Sequence, residues 1–123
     1  MKESGNLLKS FSARSKVWIV DSRGEIVFGF GRYRILSAVE RLGSLNAAAR
    51  ELKMSYKGLW SRIQATEQRL GWPLLIKDAT GSQLTPEAED LLKRYRRINQ
   101  MVALECDEIF DMVVRKALET KEE

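Results

Sequence analysis

Apolar positions in this chain fall into two short extended runs, several helical stripes and one long helical stripe, parted by glycine, proline and serine. Lys16 to Asp21 (KVWIVD) and Glu25 to Phe28 (EIVF) hold the Val, Ile, Trp and Phe that suit strands. Asp21-Ser22-Arg23-Gly24 between them has turn chemistry, so the pattern predicts a hairpin. Two strands alone are marginal, so the hairpin must pack on helices or pair across a subunit boundary. Trp18 is expected to be a packing residue. Gly29-Phe30-Gly31 interrupts the pattern ahead of a helix from about Arg32 to Leu42, stopped by Gly43. Ile35, Leu36, Val39 and Leu42 form its apolar stripe. Arg32, Arg34 and Arg41 lie on or near its wet side, where solvated charge and, for Arg32 and Arg34, phosphate contact are both open readings.

The stretch Gly43 to Leu70 organises the rest. Ser44 can cap a short helix by accepting from a backbone N–H of its first turn. Ala47, Ala48, Ala49 and Leu52 then give small contacts for a close crossing. Lys53 and Met54 form a break, and Ser55 stands where a second cap belongs. Beyond it Leu59, Ile63 and Leu70 share one helical face, with Thr66 a weaker member. Tyr56, Lys57, Trp60, Ser61 and Gln64 lie on the other face. A short Ala-rich helix, a tight turn and a longer amphipathic helix outline a helix-turn-helix whose second helix suits a major groove. An ordinary helical hairpin with a solvated outer face fits the same spacing.

Gly71-Trp72-Pro73 ends that unit, because proline cannot continue a helix. Leu74-Leu75-Ile76 reads as a strand, residues 78–82 as a loop, and Gln83-Leu84 as a returning strand. Such a hairpin after a recognition helix is a wing. Lys77, Thr80 and Ser82 are then expected to meet a phosphate or a minor groove. Thr85-Pro86-Glu87-Ala88-Glu89 is a strong helix start. With no later Gly or Pro, that helix is expected to run some thirty residues, roughly 45 Å. Leu91, Tyr95, Ile98, Val102, Cys106, Ile109 and Val113 recur every three or four residues along it. A stripe on a helix this long needs a partner, and a second copy of the same helix is the simplest one.

Composition narrows the function. The chain has 123 residues, 44% apolar and 31% charged, enough for one domain with an appendage. Net charge is +4. The Lys/Arg excess is +4 over residues 1–43, +3 over 44–85 and −3 over 86–123, so the helix-turn-helix is basic and the tail acidic. One cysteine excludes an internal disulfide, and the lack of His leaves no usual zinc cluster. No phosphate-cradling loop or nucleophile–base pair supports an enzyme, and no cofactor is expected. Residues 1–15 lack the apolar segment of a signal peptide, and no apolar run reaches the roughly 20 residues of a membrane span, so a cytoplasmic protein without a membrane partner is expected. Those fifteen residues read as a flexible arm, with Lys2, Lys9 and Arg14 able to order on DNA.

The segment SLNAAARELKMSYKGLWSRIQATEQRLGWPLLIKDATGSQLTPEAEDLL resembles the winged helix-turn-helix of LysR-type regulators, and more closely the DNA-binding domain of molybdate-responsive regulators of the ModE type. The likeness spans about residues 16–100. It rests on the first hairpin ending in VFGFGR, on Tyr56-Lys57 and Trp60 after the Ala-rich helix, and on the wing followed directly by LTPEAEDLLKRYRRI. It implies a dimeric regulator on a palindromic operator. The loop DATGSQLT is shorter than the Gly-rich loop of that family. The oxyanion-binding domains of full-length members have no counterpart, so molybdate sensing is not carried over. A single-domain regulator and one served by a separate ligand-sensing partner both fit.

The expected architecture is mainly α with small β. A flexible arm (1–15) leads into a winged helix-turn-helix with an N-terminal hairpin (16–85), followed by a dimerisation helix (86–123). The expected function is that of a homodimer binding double-stranded DNA. Lys57, Ser61 and Gln64 would contact base edges or nearby phosphates, Tyr56 and Trp60 a sugar or thymine methyl, and Ser55 the same surface. Covering the junction with the first helix of the pair is the other open reading of Trp60. Arg62, Lys77, Thr80 and Ser82 would hold the backbone. A winged helix that uses this face for protein is the competing reading, and salt dependence separates the two.

Overall fold

The structure, a computed structural model, describes residues 10–118. Lys2 and Lys9 of the expected arm, and the last five residues of the expected dimerisation helix, lie outside the described residues. The described chain falls into two compact units, residues 17–96 and residues 10–16 with 97–118.

The larger unit opens with an antiparallel hairpin, β1 (Ile19–Val20) and β2 (Ile26–Phe28). Its turn is closed by Asp21, whose carboxylate accepts from the backbone N–H groups of Arg23 and Glu25, and Gly24 takes the left-handed φ of 83°. The strands are shorter than the composition suggests. Before β1 the carbonyl of Val17 leaves the hairpin and accepts from the Tyr95 hydroxyl at 2.8 Å. Trp18, expected to pack, is more than half exposed. It lies along Gly29, where an added Cβ would stand 2.8 Å from the indole.

Helix α1 (Phe30–Leu42) begins two residues before the expected start, because Gly29 supplies the extended residue ahead of the first turn. Gly43 ends it in the left-handed region, its N–H bonded to the Val39 carbonyl. Helix α2 (Leu45–Glu51) is capped by Ser44, whose Oγ accepts from Ala47 N–H, and helix α3 (Tyr56–Leu70) by Ser55, whose Oγ accepts from Gly58 N–H. Lys53 makes the break between them with a positive φ of 56°. Ala48 and Ala49 are buried at the crossing. Leu59, Ile63 and Thr66 form the buried face of α3.

Strands β3 (Leu75–Asp78) and β4 (Gly81–Leu84) pair antiparallel, with Asp78 opposite Gly81, so Ala79-Thr80 alone makes the turn. This is tighter than the five-residue loop expected. Thr85 then caps helix α4 (Pro86–Phe110), accepting from Ala88 N–H and donating to the Pro73 carbonyl. One hydrophobic core joins these elements, with Phe28, Leu36, Val39, Leu59, Ile63, Leu74, Leu92 and Tyr95 sealed from solvent. Tyr95 meets Phe28 edge-on at 5.1 Å and Tyr33 at 5.4 Å.

The expected stripe on α4 is therefore corrected at its start. Tyr95, 1% exposed, belongs to its own domain's core together with Ala88 and Leu92, and Leu91 is half-buried against that core. Tyr95 is therefore not available as the face for a second copy, whereas Leu91 keeps part of its surface open. In the smaller unit the helix runs on to a π-helical turn at Asp111–Arg115. Arg115 pairs with Asp111, donates to the Phe11 carbonyl at 2.8 Å and lies 5.2 Å from the Phe110 ring. Ile98, Val102, Ile109 and Val113 are exposed, as are Met101, Leu104 and Met112, and Cys106 is half-exposed. No helix among the described residues is long and apolar enough to cross a membrane.

Candidate nucleic-acid interface

Helix α3 presents an outer face because its inner one is fully engaged. With Leu59, Ile63 and Thr66 in the core, helical spacing turns Lys57, Ser61, Gln64 and Gln68 outward, and all four are exposed. Ser55 is exposed at the start of α3, with its hydroxyl oxygen engaged as the cap. The face carries the Lys57 ammonium beside the amides and hydroxyl that can donate or accept at base edges.

One flank of this face is closed by the wing. Lys77 of β3 donates to the Tyr56 hydroxyl at 3.4 Å and stands 4.0 Å above the Trp60 ring. Trp60 is half-buried against the core and leans to this side, so it does not project freely as a base-reading side chain. Glu67, also on this flank, accepts from the Leu74 N–H at 2.7 Å and so fixes the start of the wing.

The wing residues differ from one another. Lys77 and Thr80 are exposed. Thr80 spends both its hydroxyl proton, at 2.6 Å, and its N–H, at 2.8 Å, on the Asp78 carboxylate. Those bonds hold the Asp78 carboxyl below its usual range. Ser82 is corrected: only 8% exposed, it sits on the inner side of β4, and its N–H donates to the Gly43 carbonyl at 3.2 Å. Strand alternation sends Gln83 outward in its place.

The other flank of α3 is lined by arginines. Arg62 donates to the Gly58 carbonyl at 3.2 Å, Arg69 to the Ile26 carbonyl at 2.6 Å, and Arg32 of α1 to the Thr66 hydroxyl at 3.0 Å. Arg32 is partly buried, and this desolvation, followed by the nearby charges of Arg62 and Arg69, lowers its pKa. In sequence Arg32 was legible as a helix cation, solvated or on phosphate, but not as a side chain tied to α3. Its partner Thr66 is 34 positions away, and no local pattern reports that contact.

A model of bacterial regulatory helix-turn-helix proteins of the lysR family matches residues 30–89. Among curated proteins, the chain is 39% identical over 80 residues to the molybdenum-pterin-binding protein MopB of Rhodobacter capsulatus, covering 61% of this chain and 30% of that protein. It is 38% identical over 69 residues to the transcriptional regulator ModE of Haemophilus influenzae, covering 52% of this chain and 27% of ModE. The chain thus spans less than a third of the length of these relatives. Among solved structures, the DNA-binding domain of CbnR in complex with DNA aligns with a TM-score of 0.56 at 30% identity, over 66% of this chain and 93% of that one. Full-length CbnR with its target DNA aligns with a TM-score of 0.57 at 28% identity, over 68% of this chain and 29% of that one. By its wing, its helix-turn-helix and these matches, the chain belongs to the LysR-type helix-turn-helix family, with ModE and MopB among its relatives.

Proposed function

We propose that this chain is a sequence-specific, DNA-binding transcriptional regulator that acts in the cytoplasm as a homodimer on a palindromic operator. One observation carries the reading: the outward face of α3, with Lys57, Ser61 and Gln64 exposed, lies between the wing cation Lys77 and the arginines around Arg62. A helix set in a major groove has a phosphate backbone on each side, and cations on both flanks meet that requirement. In this reading Lys57, Ser61 and Gln64 read base edges, Tyr56 packs on sugar or a thymine methyl, and Lys77 and Arg62 hold phosphates. The exposed Ile98, Val102, Ile109 and Val113, with Cys106 between them, form the seam with a second copy. Two recognition helices then stand about 34 Å apart, one turn of DNA.

The test is capture of genomic fragments by the purified full chain, followed by binding of the enriched duplex across a salt series. A palindromic site bound by two chains, with affinity falling steeply as salt rises, is expected. Affinity indifferent to salt, or no enriched sequence, overturns the reading in favour of a protein-binding winged helix.

A further inference from the structure

Between the start of α1 and the arginine flank of α3 lies a cleft of about 190 Å³. Arg32 and Arg34 enter it from α1 and Arg62 from α3, with Met54 of the helix-turn-helix break at its wall. No carboxylate lines it. Glu51, the acid that feels the charge of Arg34, is already ion-paired with Arg41. Arg32 is anchored through its Nε to Thr66, an arrangement that leaves the two terminal nitrogens of the fork for a ligand. Gly31 at the rim has nothing within 4 Å of where a Cβ would sit, so the approach is open.

Three guanidinium groups around one small cleft repel each other, and partial burial of Arg32 adds a desolvation cost. A bound anion relieves both. Guanidinium forks match the oxygens of a tetrahedral phosphate, and three of them make a site for that group instead of a diffuse basic patch.

We propose that the Arg32–Arg34–Arg62 cleft is a phosphate-binding pocket that seats one backbone phosphate of duplex DNA, on the side of α3 opposite the wing. The inference rests on the DNA-binding reading for the source of the phosphate, and on the cleft alone for its chemistry. Arg34 and Arg62 contact the phosphate. Arg32, held by Thr66, presents its fork from the floor and couples the seat to the buried face of α3. The phosphodiester on this side and the one met by Lys77 then belong to opposite walls of the same groove.

Two measurements on the full chain test this. In the first, amide and arginine Nε resonances are followed as inorganic phosphate is added to the wild type and to the Arg34→Gln/Arg62→Gln variant. Shifts concentrated at Gly31, Arg32, Met54 and Arg62 are expected, and their loss in the variant. In the second, both proteins bind a fluorescent duplex over a salt series. The variant should bind about tenfold more weakly, with the slope of log K against log salt reduced by about 1. Both side chains are exposed, and an unchanged amide spectrum elsewhere verifies the variant's fold. A variant that binds duplex as the wild type does, with the same slope, overturns the pocket. If the wild type binds no duplex, the DNA-binding reading fails instead. The pocket then stands if phosphate shifts those resonances in the wild type alone, and falls if it does not.

Discussion

The ammonium of Lys77 stands 4.0 Å from the centre of the Trp60 ring, joining the wing to the recognition helix. The contact keeps a cation beside the outer face of α3 while the indole stays half-buried beneath it. Lys77→Met should cost about 0.5–1 kcal/mol of stability, the range of an exposed cation–π contact. It should also weaken DNA binding evenly across sequences, since a phosphate cation carries no base information. Denaturant melts and binding to operator and scrambled duplexes measure the two effects separately.

Lys57→Ala should behave differently. With Lys57 on the proposed groove face, its loss is expected to weaken operator binding by about 1–3 kcal/mol and to reduce discrimination against scrambled DNA. Equal losses on both duplexes would reassign Lys57 to the backbone.

Tyr95 is a core residue with a polar tip. Tyr95→Phe removes the bond to the Val17 carbonyl and should cost about 1 kcal/mol, leaving the oligomeric state unchanged. Ile109→Glu should do the reverse, leaving the fold of residues 17–96 intact while shifting a dimer toward monomer, because a charge on the proposed seam is desolvated when two copies meet. Thermal melts and light scattering on both variants separate a core role from a seam role.

The wing turn carries a pH signature. Asp78 is held below its usual pKa by the Thr80 hydroxyl first and the Thr80 N–H second. A depressed folded pKa adds stability that is complete above the unfolded value, about 4, and is lost as pH falls through the folded value. Thr80→Ala removes the hydroxyl bond and keeps the N–H bonds, so it should raise the Asp78 midpoint, read by a carboxyl NMR titration, and reduce that acid-side loss.

Gly81 has a φ of 138°, and an added Cβ would stand 2.5 Å from the Gly43 carbonyl oxygen. Gly81→Ala should destabilise by about 1–3 kcal/mol through backbone strain, with further loss as the wing base is pushed from α1. A melting temperature equal to wild type would mean that the hairpin relaxes without cost.

Local chemistry was legible in the sequence. Ser44, Ser55 and Thr85 cap the helices they precede because a hydroxyl before a helical run meets a free N–H in its own neighbourhood. What depends on distant partners was not. Periodicity on α4 supports two overlapping stripes, one through Leu91 and Ile98 and one through Ala88 and Leu92, and both include Tyr95. Only the position of Phe28 and Tyr33 decides which stripe is buried first. Ser82 looked like a loop residue until the two-residue turn placed it inside a strand facing the body. Arg32, Arg34 and Arg62 were each legible as cations open to phosphate, but their meeting in one cleft was not, since its walls come from α1 and α3 and the contact between them spans 34 positions.

At the base of the wing, one main-chain oxygen of Gly43 receives the Ser82 N–H, with Gly81 beside it. The joint is made by peptide groups, so side-chain identity enters it only through the glycines at 43, held at a left-handed φ of 67°, and 81. Residues 79 and 80, at the far end of the ribbon, can then be exchanged without altering the angle at which the ribbon leaves the body. A protein built this way can change what it touches on DNA while keeping its aim.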